Sequence, residues 1–280
     1  MTSDSSTLMS NGKLIHKTAV ISDGAEIHEL AEIGPYAVIG ANVRIGKGTK
    51  IGPHAVIDGH TTIGEDCRIF AGATIGLEPQ DLTYKNEPTG VIMGNRVTIR
   101  EYATIHRGTG DRFTTVGDDC FLMNYTHLAH DCKIGNGVIM ANSSMLAGHV
   151  QVGDNVVMSG NVVFHQHVRV GRLCMFSALC GTRVDIPPFV MCDQRQATVR
   201  GLNIIGMRRQ KFAPAVRAAI KEAYRIIYRS GINLSQALSK IESEIEPFPE
   251  VKEIVEFCRA SKRGIARGFE DGDLEAGGDD

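Results

Sequence analysis

The sequence predicts a mainly β protein in which a parallel β-helix is followed by an α-helical region. Isoleucine recurs at every sixth position from Ile15 to Ile75, which matches neither the 3.6-residue period of a helix nor the two-residue period of a strand. Polar segments interrupt this repeat twice, and after Pro187 and Pro188 the apolar spacing changes to that of helices. The six-residue period indicates a solenoid.

The hexapeptide repeat explains how such a coil is built. Eleven consecutive isoleucines share one register, and a mostly small side chain such as Ala31 or Ala37 follows each by four residues. The register resumes at Met93 and again from Val116 to Phe176. One hexad cannot bury its own apolar face, so we expect three hexads to form a triangular coil with residues eighteen apart stacked on one another. Five cysteines occupy the small inward position and are interpreted as core residues: Cys67, Cys120, Cys132, Cys174 and Cys180.

The two interruptions are predicted to be loops. Residues 77–90 (LEPQDLTYKNEPTG) and, more briefly, residues 107–115 (RGTGDRFTT) break the register with polar residues and glycine. Loops on a rigid scaffold are the usual place for binding and catalytic residues. The functional site is therefore predicted to lie near these two segments.

The rest of the chain divides by composition. Residues 1–14 form an N-terminal extension, residues 15–190 the β-helix and residues 191–267 a helical domain, in which three segments from Ala213 onward have helical periodicity. Residues 268–280 are rich in acids and glycine and are predicted to be disordered.

Composition and charge exclude several classes of protein. The formal net charge is -2, so no overall field favours nucleic acid, and any anionic ligand must be held by a local cluster. The N-terminus lacks the features of a secretory signal, and no stretch is apolar enough to insert in a membrane, which predicts a cytoplasmic protein. Seven cysteines without a CxxC pair argue against a disulfide framework or a structural zinc site.

Five histidines fall outside the inward positions of neighbouring coils: His106, His127, His130, His149 and His165. His130 and His149 are nineteen residues apart, one coil plus one residue, so we expect them to be close in space. Histidine suits either a general base or a zinc ligand, and Asp131 beside His130 could support either role. Spacing alone does not decide between the two.

Seven segments, in order along the chain, resemble the UDP-N-acetylglucosamine 3-O-acyltransferase family of lipid A biosynthesis: QDLTYKNEPT, TIHRGT, HLAHDC, LAGHV, FHQH, DIPPFV and GLNIIGMRRQKF. The resemblance extends from about Ile15 to Arg267. It implies a left-handed β-helix, a homotrimer with active sites between subunits, and transfer of a 3-hydroxyacyl chain from acyl carrier protein to the sugar 3-position. It implies no cofactor and no metal.

The same resemblance assigns residues to roles. His130 would be the general base with Asp131 as its partner, and the backbone N–H of Gly148 would stabilise the oxyanion. Met175 and Ala178 would limit the length of the acyl chain. The substrate would contact eight residues: Gln80, Asp81, His127, His149, His165, Gln166, Asn203 and Arg209.

Two residues depart from the family pattern. Thr83 stands where the family has a lysine, with Lys85 two residues further on, and Ile205 stands where it has a glutamate. The acceptor could therefore be a 3-amino sugar nucleotide, with an amide as product. The repeat is also compatible with an N-acyltransferase of the same pathway, with a zinc carbonic anhydrase-like solenoid using His106, His127 and His130, and with a non-catalytic scaffold.

Overall fold

The computed structural model describes residues 14–268. Of the predicted N-terminal extension and acidic tail, only residues 14 and 268 fall within this range, and the remainder lies outside the described residues.

Short strands, most of them two residues long, make up about the first three quarters of the described chain. In chain order they are β1 Leu14–Ile15, β2 Val20–Ile21, β3 Glu26–Ile27, β4 Glu32–Ile33, β5 Val38–Ile39, β6 Arg44–Ile45, β7 Lys50–Ile51, β8 Val56–Ile57, β9 Thr62–Ile63, β10 Arg68–Ile69, β11 Thr74–Leu77, β12 Val91–Met93, β13 Thr98–Ile99, β14 Thr104–His106, β15 Thr114–Val116, β16 Phe121–Leu122, β17 His127–Leu128, β18 Lys133–Ile134, β19 Ile139–Met140, β20 Met145–Leu146, β21 Gln151–Val152, β22 Val157–Met158, β23 Val163–Phe164, β24 Arg169–Val170, β25 Met175–Phe176, β26 Gly181–Thr182, β27 Val190–Asp193 and β28 Thr198–Leu202.

These strands form three parallel sheets, which are the three faces of a triangular coil. The first face runs from β1 through every third strand to β25 and ends in β27 and β28, the second runs from β2 to β26, and the third from β3 to β24. Every pairing is parallel except that of β27 with β28. The predicted fold class, a parallel β-helix followed by helices, is confirmed.

The register shows how the two interruptions fit into the coil. Ile15 pairs with Ile33, eighteen residues on, as predicted. Across the first interruption Arg68 pairs with Thr98, thirty residues on, so the loop adds twelve residues to one coil. Across the second interruption Thr104 pairs with His127, twenty-three residues on, so that segment adds five. Both insertions lie between the second and third faces.

The core is the interior of the coil. The isoleucines of the repeat from Ile33 onward are at most 4% exposed, and all seven cysteines are buried and free. Phe164 and Phe176 meet edge to face with ring centroids 4.9 Å apart, closing the core near its C-terminal end.

The sheet continues beyond Pro188, because β27 and β28 extend the first face before four helices follow. These are α1 Ile204–Arg209, α2 Pro214–Arg229, α3 Leu234–Glu244 and α4 Pro249–Arg259. The last three coincide with the three segments of helical periodicity. Proline at the first turn starts α2 and α4, and a capping box of Asn233 and Gln236 starts α3.

Polar contacts attach the helices to the coil. The hydroxyl of Tyr224 on α2 donates to the carbonyl of Pro188 at 2.6 Å, and Arg172 pairs with Glu253 on α4 at 2.8 Å. The segment after α4 returns along the coil, where Ile265 bridges to Asp185. No helix within residues 14–268 is long and apolar enough to cross a membrane.

Candidate active site

Histidines of neighbouring coils meet where the second face turns into the third, which we call the second–third edge. His106 ends β14 and His127 begins β17 on the second face, whereas His130 and His149 lie in the turns that follow β17 and β20. The ring centroids of His130 and His149 are 5.0 Å apart, as their spacing in the sequence predicts. This edge also carries both insertions.

His130 and Asp131 form a hydrogen-bonded pair. Nδ1 of His130 lies 2.8 Å from Oδ2 of Asp131, and both side chains are buried. Because a carboxylate only accepts hydrogen bonds, Nδ1 carries the proton and Nε2 is left with a free lone pair. The pair therefore presents Nε2 of His130 as a base.

The second insertion supplies the surroundings of Asp131. Its carboxylate accepts hydrogen bonds from the N–H and the hydroxyl of Thr109, at 3.0 and 2.7 Å, and from Nε of Arg112 at 3.2 Å. Burial raises the pKa of Asp131, but the hydrogen bonds from His130 and Thr109 outweigh it, so the pKa is lowered overall. Asp131 is thus held ionised beside His130.

Gly148 lies directly against the ring of His130. A methyl group on Gly148 would be 2.5 Å from both Cε1 and Nε2 of the His130 ring, so only glycine fits here. The carbonyl of Gly148 accepts a hydrogen bond from the N–H of His167 at 3.0 Å. Its own N–H donates to no partner within residues 14–268, which leaves a donor beside Nε2 of His130.

His149 lies beside Asp131 at the second–third edge. Its Nε2 is 3.5 Å from Oδ2 of Asp131, and its ring stacks on that of His167 at 4.5 Å. Burial lowers the pKa of His149 and outweighs the opposing effect of the Asp131 carboxylate, so the ring is neutral near pH 7 and can donate or accept a hydrogen bond. Asp131 and His149 both have φ near 61°, a left-handed conformation that Asp and His tolerate better than branched residues.

His106 and His127 form a second pair. Their rings meet edge to face at 5.0 Å, and Nδ1 of His127 lies 2.7 Å from the hydroxyl of Thr104. Burial, reinforced by His127 and His130, lowers the pKa of His106 to about 4, and Nδ1 of His106 is buried without a hydrogen-bond partner among the described residues. Burial also lowers the pKa of His127.

The first insertion places Asp81 near Nε2 of His130. Oδ2 of Asp81 lies 3.9 Å from Nε2 of His130, and its Oδ1 accepts hydrogen bonds from the N–H and hydroxyl of Thr83, both at 2.8 Å. Those bonds lower the pKa of Asp81, with the backbone bond contributing most. The neighbouring Gln80 is exposed.

His165 and Gln166 follow β23 on the same edge, one coil beyond Gly148. His165 is exposed, and its Nδ1 lies 3.3 Å from Nη2 of Arg263 and 3.2 Å from the carbonyl of Gln166. Arg263 also donates to the carbonyl of Arg183, which fixes the returning C-terminal segment beside the site.

Four sequence-predicted residues lie at other edges of the coil. Met175 and Ala178 are exposed near the turn between the first and second faces. Asn203 caps α1 by accepting from Gly206, and its Nδ2 donates to the carbonyl of Leu173 in the turn between the third and first faces. Arg209 is exposed at the end of α1. One chain therefore does not bring these residues to His130.

The ligand set of a carbonic anhydrase-like zinc site does not assemble in the described residues. The group within residues 14–268 whose ligand atoms lie within 4.8 Å of one another is His130, Asp131 and His149, without His106 or His127. In that group Asp131 is already bonded to Thr109 and faces a guanidinium. The arrangement fits a hydrogen-bonded base better than a cation site.

Sequence reasoning missed three contributors to the site. Thr109 and Arg112 belong to an interruption recognised only as a loop, and Arg263 comes from beyond α4. The TIHRGT segment contains Thr109, but nothing in its spacing indicates a partner twenty-two residues away.

Comparison with known proteins identifies relatives of this chain. A family model described as UDP-N-acetylglucosamine O-acyltransferase, domain 2, matches residues 185–266, and one described as bacterial transferase hexapeptide matches residues 42–77 and 113–148. Acyl-(acyl-carrier-protein)–UDP-N-acetylglucosamine O-acyltransferases from Thermodesulfovibrio yellowstonii and Paraburkholderia xenovorans are 49% and 44% identical to this chain, covering 90% of it and 99% of their own length.

Solved structures agree with the sequence relatives. The UDP-N-acetylglucosamine acyltransferase of Bacteroides fragilis is 43% identical with a TM-score of 0.87, covering 90% of this chain and 99% of its own. The Arabidopsis enzyme is 32% identical with a TM-score of 0.79, covering 91% and 100%. The resemblance found in the sequence is thereby confirmed, and the chain belongs to the acyl-(acyl-carrier-protein)–UDP-N-acetylglucosamine O-acyltransferase family.

Proposed function

We propose that this chain transfers a 3-hydroxyacyl group from acyl carrier protein to the 3-hydroxyl of UDP-N-acetylglucosamine, the first step of lipid A biosynthesis. The observation that carries the mechanism is the free lone pair on Nε2 of His130, fixed by Asp131 and placed beside the N–H of Gly148, which has no partner within residues 14–268. The relatives are named as O-acyltransferases, which does not favour an amide product.

The chemistry follows from these groups. Nε2 of His130 takes the proton of the sugar hydroxyl as its oxygen attacks the thioester carbonyl, and Asp131 stabilises the imidazolium that forms. The carbonyl oxygen becomes an oxyanion that accepts from the Gly148 N–H. Collapse expels the thiolate, which regains a proton from His130. A thioester is already activated, so base and oxyanion donor suffice without a covalent intermediate.

The remaining predicted contacts surround this centre. Asp81, His127, His149, His165, Gln166 and Gln80 would contact the acceptor or the acyl donor, whereas Asn203 and Arg209 would hold the nucleotide. Arg209 is an exposed cation, as a diphosphate requires. Nδ2 and Oδ1 of Asn203 each already have one protein partner. Only the second N–H and the second lone pair of this side chain would be available to the nucleotide.

A homotrimer would reunite the residues that one chain leaves on three edges. The second face supports this proposal, because its outward positions expose apolar side chains: Val20 and Val38 near the N-terminal end of the coil, and Met145 and Val163 on the two strands that follow β17 in the same sheet. In a threefold arrangement, Met175 and Ala178 of one subunit could meet His130 of another. Light scattering should give roughly 91 kDa, three times the chain mass of 30.3 kDa.

We assign the protein to the cytoplasm, where its donor would be found. Seven buried free thiols support this assignment, since such thiols persist in a reducing compartment. Cell fractionation would test it.

The decisive experiment measures transfer from a panel of 3-hydroxyacyl carrier proteins to UDP-N-acetylglucosamine. His130→Ala should reduce kcat by about 10²-fold or more with the oligomer intact. His28→Ala, an exposed histidine near the N-terminal end of the coil, is the matched control and should retain activity. A fully active His130→Ala variant would refute the mechanism. Activity only on a 3-amino acceptor would refute the ester product.

A further inference from the structure

Thr83 is the residue that departs from the family pattern nearest the base. Its N–H and its hydroxyl both bond Oδ1 of Asp81, and the other oxygen of the same carboxylate faces Nε2 of His130 at 3.9 Å. A lysine at this position could not reproduce the short hydroxyl bond. The Lys85 side chain is exposed and has no described contact with Asp81.

We infer that Thr83 is a positioning residue, which fixes the rotamer of Asp81 so that its free oxygen is aimed at the acceptor sugar beside His130. This inference rests on the proposed function. The bonds from Thr83 also lower the pKa of Asp81, so the carboxylate meets the sugar in its ionised form.

Proton counting indicates what Asp81 binds. The attacking hydroxyl has one proton, and that proton goes to Nε2 of His130. Oδ2 of Asp81 must then accept from a different donor on the sugar, namely a neighbouring O–H or N–H. Rotation of the carboxylate would lose this second contact without altering the base, so the effect should appear in binding of the acceptor.

The loop around Thr83 is held by contacts that do not involve its hydroxyl. The N–H of Tyr84 donates to the carbonyl of Asp81, the hydroxyl of Tyr84 donates to the carbonyl of Glu87, and the hydroxyl of Thr89 donates to the carbonyl of Gly108 at 2.6 Å. The guanidinium of Arg107 lies 5.8 Å from the Tyr84 ring centroid. Removing only the Thr83 hydroxyl should therefore leave the carboxylate held by the backbone N–H of residue 83 alone, so that it can rotate about that bond, and leave the loop in place.

The experiment compares Thr83→Val, which keeps the shape but removes the hydroxyl, with Thr83→Ser, which keeps the hydroxyl. We expect Thr83→Val to raise KM and Kd for UDP-N-acetylglucosamine about 10-fold, with kcat changed less than twofold, and Thr83→Ser to stay within twofold of wild type. Thr62→Val is the matched control, because Thr62 lies on the third face and its hydroxyl has no described hydrogen bond.

A double-mutant cycle with Asp81→Asn separates positioning from loop stability. If Thr83 acts through Asp81, then Thr83→Val should change Kd less than twofold in the Asp81→Asn background. If the effects of the two substitutions on Kd are additive, or if Thr83→Val alone leaves Kd unchanged, the inference about Thr83 is overturned. The proposed function would still stand in that case, provided that the wild-type protein is active. An inactive wild type whose Kd still weakens in Thr83→Val would overturn the function and support the positioning role.

Discussion

Gly148→Ala tests the geometry of the base directly. The new methyl would lie 2.5 Å from two atoms of the His130 ring, whereas carbon atoms in contact are normally at least 3.5 Å apart. The ring or the backbone must therefore move by about 1 Å. Displacement of a catalytic group by that distance costs about 10²-fold in rate. We expect kcat/KM to fall about 100-fold.

The assay is the transfer of a 3-hydroxyacyl chain to UDP-N-acetylglucosamine at pH 7. Gly160→Ala is the matched control, because a methyl there would meet only the carbonyl oxygen of Asn142 at 3.5 Å, an ordinary contact. It should retain at least half of the activity. In a His130→Ala background, which opens space for the methyl, Gly148→Ala should lower the remaining kcat/KM by less than twofold.

Two results would refute this reasoning. If Gly148→Ala keeps more than half of the wild-type kcat/KM, the ring is not confined as the structure shows. If Gly160→Ala lowers kcat/KM as much as Gly148→Ala does, the loss of activity comes from disturbance of the solenoid and not from displacement of the His130 ring. A melting temperature close to that of wild type in both variants would show that the fold is intact.

Three further predictions concern the base, the buried histidine and the core. Asp131→Asn should lower kcat by about 10²- to 10⁴-fold, because the amide no longer fixes the proton on Nδ1 of His130; activity within tenfold of wild type would contradict this. Since the pKa of His106 is about 4, the folded chain binds fewer protons than the unfolded chain between pH 6.5 and 4, and stability falls on acidification by about 3 kcal/mol. His106→Leu should flatten the pH dependence of the unfolding free energy, and an unchanged dependence in denaturant titrations would refute this. Phe164→Ala should cost about 3–5 kcal/mol in the same titrations, and a loss below 1 kcal/mol would mean that the side chain is not packed as described.

Much of the fold was predictable because the hexapeptide rule is local. Each isoleucine of the repeat defines an inward position, and each following small residue fits a crowded turn. The buried residues could therefore be predicted one hexad at a time. The same rule places His130 and His149 on adjacent coils, one coil plus one residue apart, and thereby predicts that they meet. The apolar periodicity of α2, α3 and α4 was equally local.

The coil, its interior and the histidine-bearing edge were therefore predictable before the structure, because they follow from a repeat of fixed length. Only the tertiary structure decided how the insertions of twelve and five residues return to that edge, where Thr83 holds Asp81 and Thr109 holds Asp131. It also decided that Asn203 and Met175 lie on other edges than His130. The physical reason is that an irregular loop has no period, so its contacts depend on folding of the whole chain.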